Sequence, residues 1–483
     1  MSKKVALDWI SNNESQIIEV SDKIWEYAEL GLMEFKSSAL LANTLENHGF
    51  DVERGVAGMP TAFVASYGEG GPSVGLMGEY DALPSLSQKR VSHEEPIEEG
   101  MPGHGCGHNI HGTTAMAAAI AVREAIEKEG IKGTVRFYGC PAEENYSGKV
   151  FMVRDGLFDN LDAVLSHHPG WFNTGGLDSS LAVNSVKFHF HGVATHAAAS
   201  PDRGKSALDA VELMNIGVNY MREHIVQEAR IHYVIEEGGF QPNVVPPYAR
   251  SWFYVRAPER DQVDAIYEWI LKIADGADLM ARTTHDVQFL EGIYNVIPNR
   301  PLSQLVVENM REIGAPEYNK EEIWFAKKIA GTITREDKVA ALRQSKRPNW
   351  EEFMDVLMDR TIPDAWNEGE VMPGSTDVAD VSWVAPTMEF TTATTVVGIP
   401  YHSWQNVALC GMSIGHKSLI FAAKAMAVSA LDFLTKSELR EKVQEDFESR
   451  KAGREYKCPV PPDVTPPLEV AREAAKAAGQ KIE

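Results

Sequence analysis

His104-Gly105-Cys106-Gly107-His108-Asn109-Ile110-His111 brings one thiol and three imidazoles into a single short run, a density that packing alone does not call for. A lone Cys or His is usually an ordinary core or surface residue, so the reading turns on what this run can meet elsewhere in the chain. Directly after it, Gly112 to Glu129 is apolar at helical spacing (Met116, Ala119, Ile120, Val122, Ile126), which puts the cluster in a loop that opens a helix. Three apolar, strand-like runs offer partners. Thr134 to Tyr138 leads to Pro141-Ala142-Glu143-Glu144, Ala163 to Leu165 leads to His167-His168-Pro169, and Thr394 to Gly398 leads to His402. Ligands in α/β proteins bind beyond the carboxyl ends of the strands, so runs ending in Glu or His predict one shared crevice.

A chain of 483 residues exceeds one typical core, and two domains are expected. Hydrophobic content of 44% and charged content of 24% describe an ordinary globular protein. The net charge of −23 repels phosphate backbones and anionic membranes, setting nucleic-acid and membrane partners aside, although a local basic pocket for an acidic substrate remains compatible. Lys3 and Lys4 precede no signal-peptide pattern, and Arg123 or Lys424 breaks the most apolar windows before they reach membrane-spanning length. Four scattered cysteines, Cys106, Cys140, Cys410 and Cys458, suit a reducing cytoplasm.

Taken in order, Ser15 to Leu30 and Lys36 to His48 are expected helices, the second closed by Gly49. Thr61 to Tyr67 and Ser73 to Gly78 read as strands, the latter running into Glu79-Tyr80-Asp81. Asp81 is locally as consistent with a turn carboxylate as with a place near the crevice. Residues 85 to 103 read as a mobile surface loop. From 184 to 292 the pattern becomes β-α-β-β-α-β, the ferredoxin-like signature of a small domain. The expected division is therefore 1–183 and 293–483 for an α/β catalytic domain, with 184–292 inserted between its parts. Residues 300 to 370 are charged and helical and read as a solvated insertion. His189 and His191 share one polar strand face and are read as solvated. His196 sits in the small-residue loop Gly192-Val193-Ala194-Thr195-His196-Ala197-Ala198, which permits close approach of a ligand. Arg256 ends an apolar strand and suits bidentate capture of a carboxylate, with the Asn243 amide expected beside it. Asp377 and Asp380 read as capping or turn residues.

Taken together, "GHGCGHN", "FYGCPAEE", "SHHPG", "GSTDVADVSW" and "GIPYHSWQ" resemble the dinuclear-metal amidohydrolases of metallopeptidase family twenty, which includes aminoacylases, carboxypeptidases and plant auxin-conjugate hydrolases. The likeness runs from about residue 15 into the Pro-rich tail. It implies a mixed-sheet catalytic domain with an inserted lid that carries a dimer contact. It also implies two divalent ions, Mn2+ or Zn2+, held by Cys106, His108, Glu144, His168 and His402, if one ligand or a water bridges them. Asp81 would orient a ligand imidazole, and His104 and His111 are further candidates behind the ligands. Glu143 would be the general base and His196, commonly from a neighbouring subunit, the group that polarises the scissile carbonyl. Asn243 and Arg256 would hold a substrate carboxylate. Asn109 replaces the acid many relatives carry and would remove a charge beside the metals, and Asn145-Tyr146 would narrow or stack in the pocket.

The activity so implied is hydrolysis of the amide between an acyl or aminobenzoyl group and an amino acid, with p-aminobenzoyl-glutamate the expected substrate and a dipeptide or another N-acyl amino acid the nearest rival. The partner is a second copy or a related subunit. Two other classes remain open: a thiol hydrolase with Cys106 as nucleophile and His108 as base, and a non-catalytic partner or binding subunit.

Overall fold

The computed structural model describes residues 2–482. Its main sheet has seven strands in the order 51–54, 63–67, 134–140, 73–79, 163–170, 387–393 and 174–175. Four neighbouring strands, 134–140, 73–79, 163–170 and 387–393, run parallel, so their carboxyl ends share one edge. Their near-continuous apolar character suits a sheet covered on both faces. The helices at 108–129 and 413–435 lie on one face, with those at 2–12, 14–27 and 300–313 packed around them. Helices 148–154 and 378–384 and the tail helix 468–477 close the other face.

Several sequence expectations are corrected here. The strand before His402 is Thr387–Ala393, not Thr394 to Gly398. The latter run is equally buried but leaves the sheet as irregular chain and turns at Gly398, whose φ is +90°. Apolar character measured burial, which strand and coil share. Residues 300–313 are not a solvated stretch, because Leu302, Val306 and Met310 join the main core. Helix 413–435 is long and apolar enough to cross a membrane despite Lys424, yet it is packed inside the core. Lys424 reaches out to Glu14 at 3.2 Å.

The second sheet is antiparallel, in the order 284–293, 182–191, 248–257 and 230–237, with helices 207–221 and 260–281 on one face. Alternation along 248–257 buries Ala249, Ser251, Phe253 and Val255 against those helices. His189 and His191 hydrogen-bond Tyr248 and Asp286. Arg260 locks the two chain crossings between the sheets. Its buried guanidinium donates to the carbonyls of Val183 and Ile293 at 3.2 Å each and to Asn184 Oδ1 at 2.8 Å. Arg260→Ala strands these buried acceptors and is expected to cost about 3 kcal/mol. Denaturant titration measures that loss, and a change below about 0.5 kcal/mol, the usual surface value, would contradict the assignment.

Candidate metal centre

Each donor is carried just beyond, or on, the shared edge of the parallel strands. The Ser73–Glu79 strand delivers Glu79 and Asp81, Thr134–Cys140 delivers Glu143 and Glu144, and Ala163–Gly170 carries His168 in its last turn of pleat. Helix His108–Glu129 begins at the edge with His108 and His111 on neighbouring positions of its first turn. Gly107 has φ +84°, and a Cβ there would come within 2.9 Å of Cys410 Sγ, so only glycine lets Cys106 and His108 face the same space. His402 and Ala142 hold φ of +55° and +60° without being glycine, a local strain confined to the two turns that present His402 and Glu143.

The five expected ligands converge as two trios that share a sulfur. In one, Cys106, His108 and His168 bring ligand atoms within 4.8 Å of one another; in the other, Cys106, Glu144 and His402 do the same. Cys106 Sγ is 3.3 Å from His168 Nε2, and His402 Nε2 is 3.4 Å from Glu144 Oε2. Hydrogen bonds fix two of the imidazoles for ligation. His108 Nδ1 is 2.7 Å from Asp81 Oδ1, and His168 Nδ1 is 2.9 Å from the Pro169 carbonyl. Each acceptor fixes the ring proton on Nδ1 and leaves Nε2 free for an ion. The other Asp81 oxygen accepts the backbone N–H of Glu144 at 2.9 Å, so one carboxylate steadies a ligand from each trio.

Buried Glu144 Oε1 has no hydrogen-bond partner, and buried His108 Nε2 faces a Glu79 carboxylate oxygen at 3.2 Å, an arrangement that is costly unless positive charge lies between or beside them. Burial lowers the proton affinity of His108, but Asp81 and Glu79 outweigh it and raise the pKa well above the ordinary imidazole range. The pocket therefore demands positive charge at that nitrogen, and a divalent ion can take the place of the proton. Thiolate, imidazole and carboxylate together are a donor set for such ions. The residues present fit the metals that the resemblance implies.

Glu143 and Glu144 divide. Glu144 belongs with Cys106 and His402, whereas a Glu143 oxygen lies within 4.8 Å of Glu79 and His108 atoms. Burial, with Glu79 and Glu144 close by, holds the Glu143 carboxyl well above its usual range. Sequence reasoning missed the charge beneath this group. Lys149 Nζ, fully buried, is 2.6 Å from both Glu79 Oε1 and Asp377 Oδ1. Its signal was a lysine inside the apolar run Gly148–Val153. Asp377 is thus an ion-pair partner rather than a cap, and Asp380 ties down the tail by accepting from Tyr294 N and Tyr456 Oη.

Glu79, His111 and Glu389 also lie close enough for an ion. His111 Nδ1, however, accepts the Glu79 backbone N–H at 3.0 Å, which leaves its proton on Nε2 toward Ser166 and Glu79. That nitrogen is a donor, not a ligand. His104 turns away to the Ile24 carbonyl, and His167 to Thr392. Asn109 points into the core, donating to Ser21 and the Cys410 carbonyl, so its missing charge is not beside the ligands. Tyr146 is half-buried and packs toward Gly31.

The second sheet separates two residues expected side by side. Arg256 pairs with Val183 near the junction with the main sheet and donates to Ser375 Oγ at 3.3 Å. It makes no ion pair among the described residues. Asn243 lies instead with His196, its carbonyl accepting Ala197 N at 3.0 Å beside the His196–Val244 bridge. Both sit past the opposite end of the Tyr248–Ala257 strand, which rises roughly 26 Å between Tyr248 and Arg256. His196 is exposed, and its Nδ1 accepts two backbone N–H groups, Ala198 and Ala199, leaving Nε2–H as an outward donor.

Fold and site together define a metal-dependent hydrolase of carbon–nitrogen bonds. Residues 75–334 match Peptidase family M20/M25/M40, and the chain belongs to that family. It is 42% identical to one of the two named subunits of the p-aminobenzoyl-glutamate hydrolase of Escherichia coli, over 95% of this chain and 97% of that protein. It is 28% identical to the mouse Xaa-Arg dipeptidase over 93% and 92% of the two chains. Among solved structures, an aminobenzoyl-glutamate utilization protein from Klebsiella pneumoniae shares the fold at TM-score 0.59 and 16% identity, covering 89% of this chain and 98% of its own. A dinuclear metal-binding M20 peptidase from Bacillus subtilis does so at TM-score 0.54 and 18% identity, covering 87% and 99%.

Asn offers one acceptor where Asp81 meets two N–H donors. Asp81→Asn is therefore expected to weaken metal binding ten- to a hundredfold, read by competition with a chromogenic chelator; unchanged affinity would remove Asp81 from the centre.

Proposed function

We propose that the chain hydrolyses the amide of p-aminobenzoyl-glutamate to p-aminobenzoate and glutamate, in a reducing cytoplasm and with a lid formed by residues 184–292. The observation that carries the reading is the pair of trios meeting at Cys106, set in a chain so similar along its length to a hydrolase named for that substrate. Cys106, His108, Glu144, His168 and His402 hold two divalent ions, Mn2+ or Zn2+. When bound, such ions polarise a carbonyl and lower the pKa of water from about 16 toward about 7. Glu143 accepts the proton from the attacking water and delivers it to the leaving nitrogen as the amide bond breaks. Arg256, free of ion pairs among the described residues, takes the glutamate α- or side-chain carboxylate.

His196 and Asn243 serve a different crevice from their own. Their distance from Arg256 supports a lid that reaches into a neighbouring protomer, where His196 Nε2–H meets the developing oxyanion. That protomer is a second copy or a related chain; the Escherichia coli hydrolase is named with two different subunits, and this chain is similar to both, at 42% and 25% identity. A thiol mechanism is less favoured, because Cys106 Sγ is shared by two trios of donors rather than paired with a single base. The four cysteines are all free, in keeping with the compartment.

Glu143→Gln and His196→Ala should each slow turnover by about a hundredfold or more. Mixed in equal amounts and allowed to re-pair, they should recover about a quarter of wild-type activity, since half of random dimers keep one intact site of two. Full activity of Glu143→Gln would overturn the catalytic reading. Failure of the mixture to recover would assign His196 elsewhere than to a second copy.

A further inference from the structure

Beside the metal ligands stands a wall of aromatic side chains that the proposed mechanism does not use. Tyr401 immediately precedes His402, and its ring meets the His168 ring edge-on at 6.4 Å. Trp171, just after His168 and Pro169 in the chain, stacks on Tyr401 with centroids 5.3 Å apart and planes 13° from parallel. The Trp171 indole N–H donates to the Ile399 carbonyl at 2.8 Å, which fixes the stack to the turn that presents His402. Tyr401 is 39% exposed, whereas Trp171 is half-buried and Phe172 buried. Trp171 and His168 cover part of the Tyr401 ring, and the remainder is an aromatic surface open beside two imidazoles of the centre.

The support behind this wall comes from residues 314–370. Arg347 is nearly buried, and its guanidinium carbon lies 3.7 Å from the Phe353 ring centroid and 4.2 Å from that of Phe172, the neighbour of Trp171. Asp359 Oδ2 accepts from Arg347 Nη1 at 2.7 Å and Thr361 Oγ1 is 2.6 Å from Nη2, so the cation is held in place as well as neutralised. Asn173 donates to the Asp359 and Thr361 carbonyls at 3.1 and 3.2 Å. The segment is thus nailed to residues 172–173 and braces the indole from behind. A stretch without chemistry of its own acquires a role as the buttress of a substrate surface.

We infer that Tyr401 and Trp171, braced by the 314–370 segment, form the acyl-side subsite and select a flat aromatic acyl group. The inference rests on the proposed function and names what that site prefers. Neither ring brings a carboxylate to form an ion pair with the α-ammonium of a dipeptide, while an arylcarbonyl group gains offset or edge-on ring contacts over its whole flat face. The wall follows the 163–170 strand of the main sheet and Arg256 ends a strand of the second, so the proposed aromatic and carboxylate contacts come from different elements, as a substrate with an aromatic end and an anionic end needs.

The test compares kcat/KM for p-aminobenzoyl-glutamate and N-acetyl-glutamate, identical on the leaving side, in wild type, Tyr401→Leu, Trp171→Leu and Tyr401→Phe. The ratio between the two substrates should fall at least tenfold in both leucine variants and by less than threefold in Tyr401→Phe. An unchanged ratio in the leucine variants, whether both substrates slow equally or neither slows, would overturn the inference. If wild type cleaves neither acyl-glutamate, the proposed function has failed, and binding of p-aminobenzoate to the metal-loaded protein decides the subsite alone. Calorimetry should then show at least tenfold weaker binding in Trp171→Leu, and equal binding would overturn it.

Discussion

Parallel strands have to end somewhere together, and this common edge is the constraint from which the rest of the site follows. Strands 73–79, 134–140 and 163–170 each release or carry a donor there, and the 108–129 helix starts from the same place. None of these segments could bring enough ligands alone. Cys106 matters most because it is the atom common to both trios, so the loop before the helix couples the two halves of the centre. Ala142 and His402 hold left-handed backbone in the turns that present Glu143 and the last donor, and Gly107 takes that conformation without a Cβ to oppose it.

Beneath the ligands lies a second layer of charge. Asp81 links His108 to Glu144, while Lys149 answers both Glu79 and Asp377 in a space closed to water. A buried lysine between two carboxylates is expensive to desolvate and more expensive to break, since removal of one partner leaves an uncompensated charge. It keeps Glu79 ionised, its pKa lowered against the penalty of burial by His111 and Lys149. The layer therefore sets a fixed negative field under the ligands in which an extra cation is favoured.

The convergence of these donors was legible in the amino-acid sequence because they are short, polar interruptions of apolar runs. Cys106, His108, Glu144 and His168 stand at the ends of buried strands or the start of a buried helix, where polarity needs a reason. The βαββαβ order of residues 182–293 was legible because alternation in its strands and helical periodicity between them differ sharply. Thr394 to Gly398 misled because a buried coil looks like a buried strand. The separation of Asn243 from Arg256 was hidden because spacing along the chain does not say which end of a strand faces the main sheet. Lys149 was hidden because its partners, Glu79 and Asp377, are far from it in sequence. The aromatic wall needed the tertiary fold to bring Trp171 and Tyr401 together.

The central claim is that the two donor trios meeting at Cys106 would hold two cations, and counting metal in the purified chain tests it most directly. Mass-spectrometric metal analysis of the wild type and of Cys106→Ala, after loading with manganese or zinc and desalting, should give two ions per chain for the first and strong depletion of both for the second. A Cys106→Ala protein that keeps two tightly held ions, or a wild type that retains none, would contradict the account.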